Sequence, residues 1–407
     1  MPSVSIFAGG NARPQGVFPR LSAVSGLPHS QTVGSSSAPA RCGRNSLRPD
    51  APRMTSIFDF IKSSDRWLYH DGPLHHSIVS SRARYARNLA HLPFAPRAKP
   101  PELRAVLESV DAAIAASSYF QDFKRLTISE VHSLYRLYLK ESHLLSAEFE
   151  HGGENRVLYI SPDYRISIMV NEEDHIRIQC LDCGFQLSRV LALCDEVEAQ
   201  LDAQLNFARS ERFGVLTACP TNAGTGLRLS VMLHLPGLVI VNKIDEILDS
   251  IGRYGLTVRG IWGENSENLG DLFQVSNEVT MGKTPEEIRT VLESVAEQVV
   301  ERELDARDAL FDQKPLVVHD LIARALAVLQ NAQILDSAEA LAHLSKMRLG
   351  IDRGHIQALT HPDLSRLMVE VQPAHLQCKE GGQLSAERRD TLRARFLRDR
   401  MKDVRLN

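Results

Sequence analysis

Apolar side chains recur along this chain with two different periods, and the changes of period mark its elements. From Pro101-Glu102, the apolar positions Leu103, Val106, Leu107, Val110 and Ile114 keep to one helical face. A second helical pattern covers 128–140 through Ile128, Val131, Leu134, Tyr135 and Tyr138. Between 156 and 181 the period falls to two: Val157 and Tyr159, then Ile166, Ile168 and Val170, then Ile176, Ile178 and Cys180. Such alternation predicts half-buried strands, with Asp163-Tyr164 as the turn of the first hairpin. Residues 184–207 return to a helical pattern, and strands are predicted at 213–217, 228–234 and 256–262. Thr284-Pro285-Glu286-Glu287 joins a capping hydroxyl, a first-turn proline and acids near the positive dipole end. It predicts a helix to about 310 on Ile288, Val291, Val295 and Val299, and from about 315 onward the pattern is helical with short breaks. The fold class is α+β: an antiparallel sheet flanked by helices, then a small all-helical domain. No internal repeat is evident.

Composition narrows this picture. The 407 residues suffice for two domains with sizeable cores, and 43% apolar with 24% charged residues is ordinary for a soluble globular protein. A net charge of -3 argues against a broad nucleic-acid surface. No apolar run approaches the roughly 20 residues that span a bilayer. The six cysteines are scattered, which suits a reducing cytoplasm better than a disulfide framework. Cys180 and Cys183 form a lone CxxC with no second pair to complete a zinc site. Residues 1–53 carry six Arg against one acid, Asp50, among Ser, Pro and Gly, and read as a disordered or untranslated leader. Met54 offers a plausible beginning. The expected division is therefore 1–53, a catalytic domain over 54–312 and a helical domain over 313–407.

The familiar nucleotide signatures are missing: no GxxxxGK[ST], no protein-kinase HRD or DFG, and only Gly224-Thr225-Gly226 in place of a longer glycine motif. A phosphate site can still be assembled from arginine, whose planar fork matches phosphate oxygens and stays charged. In Ser80-Ser81-Arg82-Ala83-Arg84 the two Arg are at i and i+2, so on an extended segment they point the same way. Arg177 follows Asn171-Glu172-Glu173-Asp174-His175-Ile176; Arg228 follows the glycine turn after Cys219-Pro220; Arg259 opens Gly260-Ile261-Trp262-Gly263-Glu264. Acids that hold a cation beside arginines that hold an anion are the layout for phosphoryl transfer to a guanidinium, whose delocalised lone pair needs alignment and a proton acceptor. Glu173 and Glu264 are the candidates, although an acidic run such as 172–174 is also the usual make-up of a solvated turn. Cys219, at the mouth of the glycine turn, is either a thiolate near the acceptor or a small buried residue.

These motifs resemble those of the phosphagen kinases, the creatine and arginine kinase superfamily, and more closely its bacterial protein-arginine kinase branch. The match runs from Met54 to the C-terminus. The resemblance implies an ATP site at Ser80, Ser81, Arg82, Ala83, Arg84, His143, Arg177, the segment Arg228, Leu229, Ser230, Val231, Met232, and the segment Arg259, Gly260, Ile261, Trp262, Gly263, Glu264. It implies that Glu173 and Glu264 are catalytic and that Mg²⁺ is held by the nucleotide and water. Only 26 positions separate Met54 from Ser80, where small-guanidine kinases carry an N-terminal helical domain. Arg389-Asp390-Thr391-Leu392-Arg393-Ala394 matches the phosphoarginine-binding RDxxRA motif, which implies allosteric activation by product. Implied partners are arginine-bearing protein substrates, a zinc-binding activator protein, a heat-shock repressor, an AAA+ protease and a second copy of the chain, with no nucleic acid and no membrane. Two alternatives stay open: a kinase of free arginine or another small guanidine, and a phosphoarginine-reading adaptor without transferase activity.

Overall fold

Alternating segments have paired into one large antiparallel sheet. The structure, a computed structural model, describes Phe60 and residues 66–260 and 269–407. Its strands are β1 (Ile78–Arg87), β2 (Lys124–Thr127), β3 (Val157–Ile160), β4 (Ile166–Val170), β5 (Ile176–Cys183), β6 (Arg209–Ser210), β7 (Gly214–Val215), β8 (Leu227–His234), β9 (Leu256–Arg259) and β10 (Leu272–Asn277). Eight of them form the sheet in the order β2-β3-β4-β5-β1-β8-β10-β9, while β6 and β7 pair separately. The leader 1–53 lies outside the described residues.

The two faces of the sheet differ as the period of two demands. Ala83, Tyr85, Ile178, Cys180, Leu229, Val231, Phe273 and Val275 enter a core shared with the helices Leu187–Asp202 and Pro285–Gln313. The long helix is held at its start by the expected capping box, Thr284 with Glu287. On the other face, a core of Leu126, Leu158, Met169 and Leu181 packs under the helix Ser133–Glu141. A further core joins Val79 and Leu272 of the sheet to the C-terminal helices. Those helices are Pro315–Asn331, Ser337–Asp352, His361–Glu370, Pro373–Glu380 and Ala386–Met401.

Several predicted boundaries move, each for a visible reason. The helix predicted from 128 begins at Ser133, because Ile128 still donates its N–H to the Arg156 carbonyl at 3.0 Å, extending the β2–β3 pairing. The Arg136 guanidinium then holds the break by donating to the Val131 carbonyl at 2.8 Å. The pattern over 184–207 yields helix only over Leu187–Asp202, since Gly184 and Phe185 bond back to Val79 and Pro73. The predicted strand at 213–217 reduces to Gly214–Val215. Cys180 and Cys183 fall on opposite faces of the sheet, one in each of two separate cores, so they cannot grip one ion. Among the described residues no helix is long and apolar enough to cross a membrane.

Candidate active site

Strand register assembles the arginines. Arg84 is directly opposite Gln179 of β5 and Arg228 of β8, and Arg82 opposite Leu181 and Ser230. Ala86 faces Arg177. Gln274 of β10 faces Met232 on one side and Arg259 on the other. Directly opposed residues share a face, so Arg82, Arg84, Arg177, Arg228 and Arg259 all stand on the polar face. The same alternation corrects the expectation that whole segments line the site. Ala83, Leu229 and Val231 point into the opposite core, and the Ser81 hydroxyl bonds the Gly184 carbonyl at 2.8 Å and accepts from the Gln186 N–H at 2.9 Å.

Burial, and after it the concentration of like charges, acts on this face. Burial pulls the Arg82 guanidinium down to about 10, helped by Arg177, Arg228 and Arg259. Arg84 is held well below its usual range by burial, then by Arg82, Arg177 and Arg228, with Glu172 opposing. Its Nε is buried without a hydrogen-bond partner. A set of guanidinium groups whose charge is under strain, one with an unmet donor, fits a polyanion.

Four of these arginines open onto a cleft of about 760 Å³, lined also by Glu148, Glu172, Glu173, Arg156, Ser146 and Cys219. The acidic turn divides into three roles. Glu172 is buried and accepts from Ser146 Oγ at 2.6 Å and from Arg177 at 2.6 Å. Asp174, 0% exposed, accepts from Asn88 Nδ2 at 2.6 Å and from the Ala218 N–H at 2.7 Å, tying the turn to the glycine loop. Glu173 alone presents a partly exposed carboxylate, 3.4 Å from Arg177. Partial burial raises its pKa; Arg177 opposes, and Asp174, Glu172 and Glu148 reinforce. The turn is therefore not wholly solvated: Glu172 and Asp174 are tied into the fold and Glu173 faces the cleft. Gly260 is described, whereas Ile261, Trp262, Gly263 and Glu264 lie outside the described residues.

The glycine loop lies close against its neighbours. A Cβ on Gly224, at φ +108°, would meet the Thr280 carbonyl oxygen at 2.6 Å, and one on Gly226 would meet the Ala86 carbonyl at 2.7 Å. Cys219 sits half-buried on the cleft wall, its thiol 2.9 Å from Thr221 Oγ1. Thr217 Oγ1 donates to its carbonyl at 2.7 Å.

Beside Arg82 a second, mainly apolar cavity of about 50 Å³ takes Ser80, His143, Ser230 and Met232, together with Trp67, Gln274, Ser365, Met368 and Val369. Burial lowers the His143 imidazole to about 3, with Arg82 and then His375 adding to the effect, so it is neutral at physiological pH. Trp67 and the 365–369 residues escaped sequence reasoning because they are far from every motif and carry no local signature. Among the described residues no cluster of three or more His, Cys, Asp or Glu could hold a metal ion.

With this geometry in view, known proteins give a consistent comparison. The family described as ATP:guanido phosphotransferase, C-terminal catalytic domain, matches residues 105–306. The protein-arginine kinase McsB C-terminal domain matches 315–407. A protein-arginine kinase from Bacillus mycoides (strain KBAB4) is 41% identical over 338 residues, 83% of this chain and 95% of that relative. The chain belongs to the protein-arginine kinase family. A second member of that family, from Bacillus pumilus (strain SAFR-032), is 39% identical over 353 residues, 85% of this chain and 96% of its own length. The crystal structure of a lombricine kinase superposes with a TM-score of 0.52 at 23% identity, covering 62% of this chain and 72% of that one, which shows the fold.

In this member of the protein-arginine kinase family the RDxxRA segment lies on the helix Ala386–Met401. Asp390 pairs with Arg393 at 2.6 Å. The two arginines of the segment have different surroundings. Arg393 is 1% exposed and donates to the Val371 carbonyl at 2.8 Å and the Leu335 carbonyl at 2.7 Å. Leu392 and Ala394 are buried as well, and Thr391 bonds its own helix at the Glu387 carbonyl. Arg389 alone lines a surface pocket, with Glu150, Gln377 and Gln383.

Proposed function

We propose that this chain transfers the γ-phosphoryl group of ATP to arginine side chains of proteins. The reading is carried by one observation: five guanidinium groups on a single sheet face, with the Glu173 carboxylate at their edge. In it, Arg82, Arg84, Arg177, Arg228 and Arg259 grip the phosphates, and the unmet donor of Arg84 is one of the contacts. Glu173 aligns the acceptor guanidinium, and Glu264 is its sequence-based partner. An Nω–P bond forms as the bond from the γ-phosphorus to the β-bridging oxygen breaks, and the guanidinium proton passes to a carboxylate. So little covalent work falls to the protein that positioning and charge neutralisation dominate. Mg²⁺, carried by the nucleotide and water, supplies further neutralisation of phosphate charge.

The finer reading follows the family resemblance. The kinase acts in the cytoplasm as a homodimer built on its helical C-terminal region, with the RDxxRA segment as a product-sensing site at which Arg389 faces the ligand and the buried Arg393 holds the segment in place. Its activator is a zinc-binding protein, it inactivates a heat-shock repressor, and its products go to an AAA+ protease. The catalytic and helical domains divide near 312/313.

Mass spectrometry under non-acidic handling tests the activity. ATP, Mg²⁺ and an unfolded basic protein should yield acid-labile phosphate on arginine, and far less on free arginine offered at equal concentration. Turnover of free arginine alone would favour the small-guanidine kinase instead, and transfer to neither would favour the adaptor.

A further inference from the structure

The cavity beside Arg82 is walled in part by residues from the far end of the chain. Ser365, Met368 and Val369 come from the helix His361–Glu370, more than a hundred positions beyond the last arginine of the phosphate site. They meet Ser80, Arg82, Ser230 and Met232, which belong to the sheet. Met368 is 4% exposed and packs in the core that includes Val79 and Leu272; Val369 is 6% exposed and packs with Trp67, Leu68 and Leu181. The cavity therefore lies at the seam of two cores, and this helix closes it.

The closing helix is held firmly. Thr360 and Asp363 form its capping box. The Arg348 guanidinium, 0% exposed, donates to Ser365 Oγ at 2.8 Å and to the His361 carbonyl at 3.1 Å. It also donates to the His75 carbonyl, just before β1. His361 Nε2 lies 2.7 Å from Asp352, which in turn pairs with Arg307 of the long helix. One buried cation thus fixes the helix relative to the strand carrying Arg82 and Arg84.

The chemistry of the lining suits a heteroaromatic ring. Trp67, Leu68, Leu181, Leu272, Met368 and Val369 make apolar walls, and Ser80, Ser230, Gln274 and His143 bring a few polar atoms. Apolar walls with sparse polar groups are the usual make-up of a small-molecule site. Arg82 lines this cavity while standing beside Arg84 on the same face, so a ligand with its phosphates on the arginines would put its other end here. We infer that the helix His361–Glu370 completes the purine subsite, with Met368 and Val369 as determinants of base affinity. This inference rests on the kinase reading above. It makes the C-terminal helical region part of the nucleotide site rather than an appendage to it.

Isothermal titration of the full chain tests it with two probes, ATP and inorganic tripolyphosphate, which keeps the phosphates and lacks the base. Met368→Ala enlarges the cavity and Val369→Phe fills it. Both should lower ATP affinity by roughly tenfold, the size expected of a misfit in an apolar pocket. Both should leave tripolyphosphate affinity unchanged. Unaltered ATP affinity in the two variants, or an equal fall for tripolyphosphate, would overturn the assignment. An unsubstituted chain that bound neither probe would instead sink the kinase reading itself.

Discussion

Arg84 and Arg228 face each other directly across the paired strands β1 and β8. Like charges in opposed positions destabilise a sheet, and burial deepens the effect at Arg84. In the function proposed above, a bound polyphosphate relieves this repulsion.

Arg84→Met should therefore stabilise the nucleotide-free protein by about 1 kcal/mol, because it removes an opposed and desolvated charge. The same substitution should weaken nucleotide binding. Thermal unfolding without ligand, set beside a nucleotide titration, checks both halves. A lower melting temperature in the absence of nucleotide would contradict the account.

Glu172 and Glu173 are neighbours with separable duties. Glu173→Gln should lower kcat by roughly 10²–10⁴-fold, the range for loss of a general base, with nucleotide affinity kept. Glu172→Gln should lower the unfolding midpoint, since Glu172 bonds Ser146, Arg177 and the Glu173 N–H. The Glu173 pKa is raised, so the active carboxylate is lost on acidification sooner than an ordinary glutamate would be. The acid limb of the pH–rate profile should accordingly lie above the usual glutamate range, and Glu173→Gln should abolish that limb.

Asp174 joins the acidic turn to the glycine loop through the Ala218 N–H. Asp174→Ala takes the side-chain acceptor from that donor and one of two acceptors from Asn88 Nδ2, which keeps the Leu216 carbonyl, at a cost of about 2–3 kcal/mol. Hydrogen exchange at the Ala218 amide should speed up markedly, and urea denaturation should show the lost stability. An unchanged exchange rate would remove Asp174 from this role.

His75 is 3% exposed, and its pKa is lowered from 6.5 to about 4, chiefly by burial and next by Arg348. Between those two values the unfolded chain takes up a proton that the folded chain refuses. Stability from this group is therefore complete above pH 6.5 and declines as the pH falls toward 4, by roughly 3 kcal/mol in all. Denaturant midpoints across that window should fall, and His75→Gln should flatten the slope.

Much of the site was legible because strand geometry is local. The i, i+2 spacing of Arg82 and Arg84 places them on one face wherever the strand lies. The alternation of Ile176, Ile178 and Cys180 likewise commits Arg177 to the opposite side from the core. The motifs around Cys219 and Arg228 carried the family resemblance for a related reason: a tight glycine turn against neighbouring backbone admits few sequences. Other features were not legible. An acidic run reads the same whether its members are buried or exposed, so only packing could separate Glu172 and Asp174 from Glu173.

By itself, then, the sequence determined the phase of each strand and helix, and with it which side chains face away from the apolar core. Only the tertiary structure decided which outward residues meet. It buried Arg393 on the carbonyls of Val371 and Leu335, and it brought Ser365 and Met368 to the cavity beside Arg82. Side-chain phase follows from backbone period within a few residues. Encounters across hundreds of residues follow from how whole elements pack, and no short stretch of chain encodes that packing.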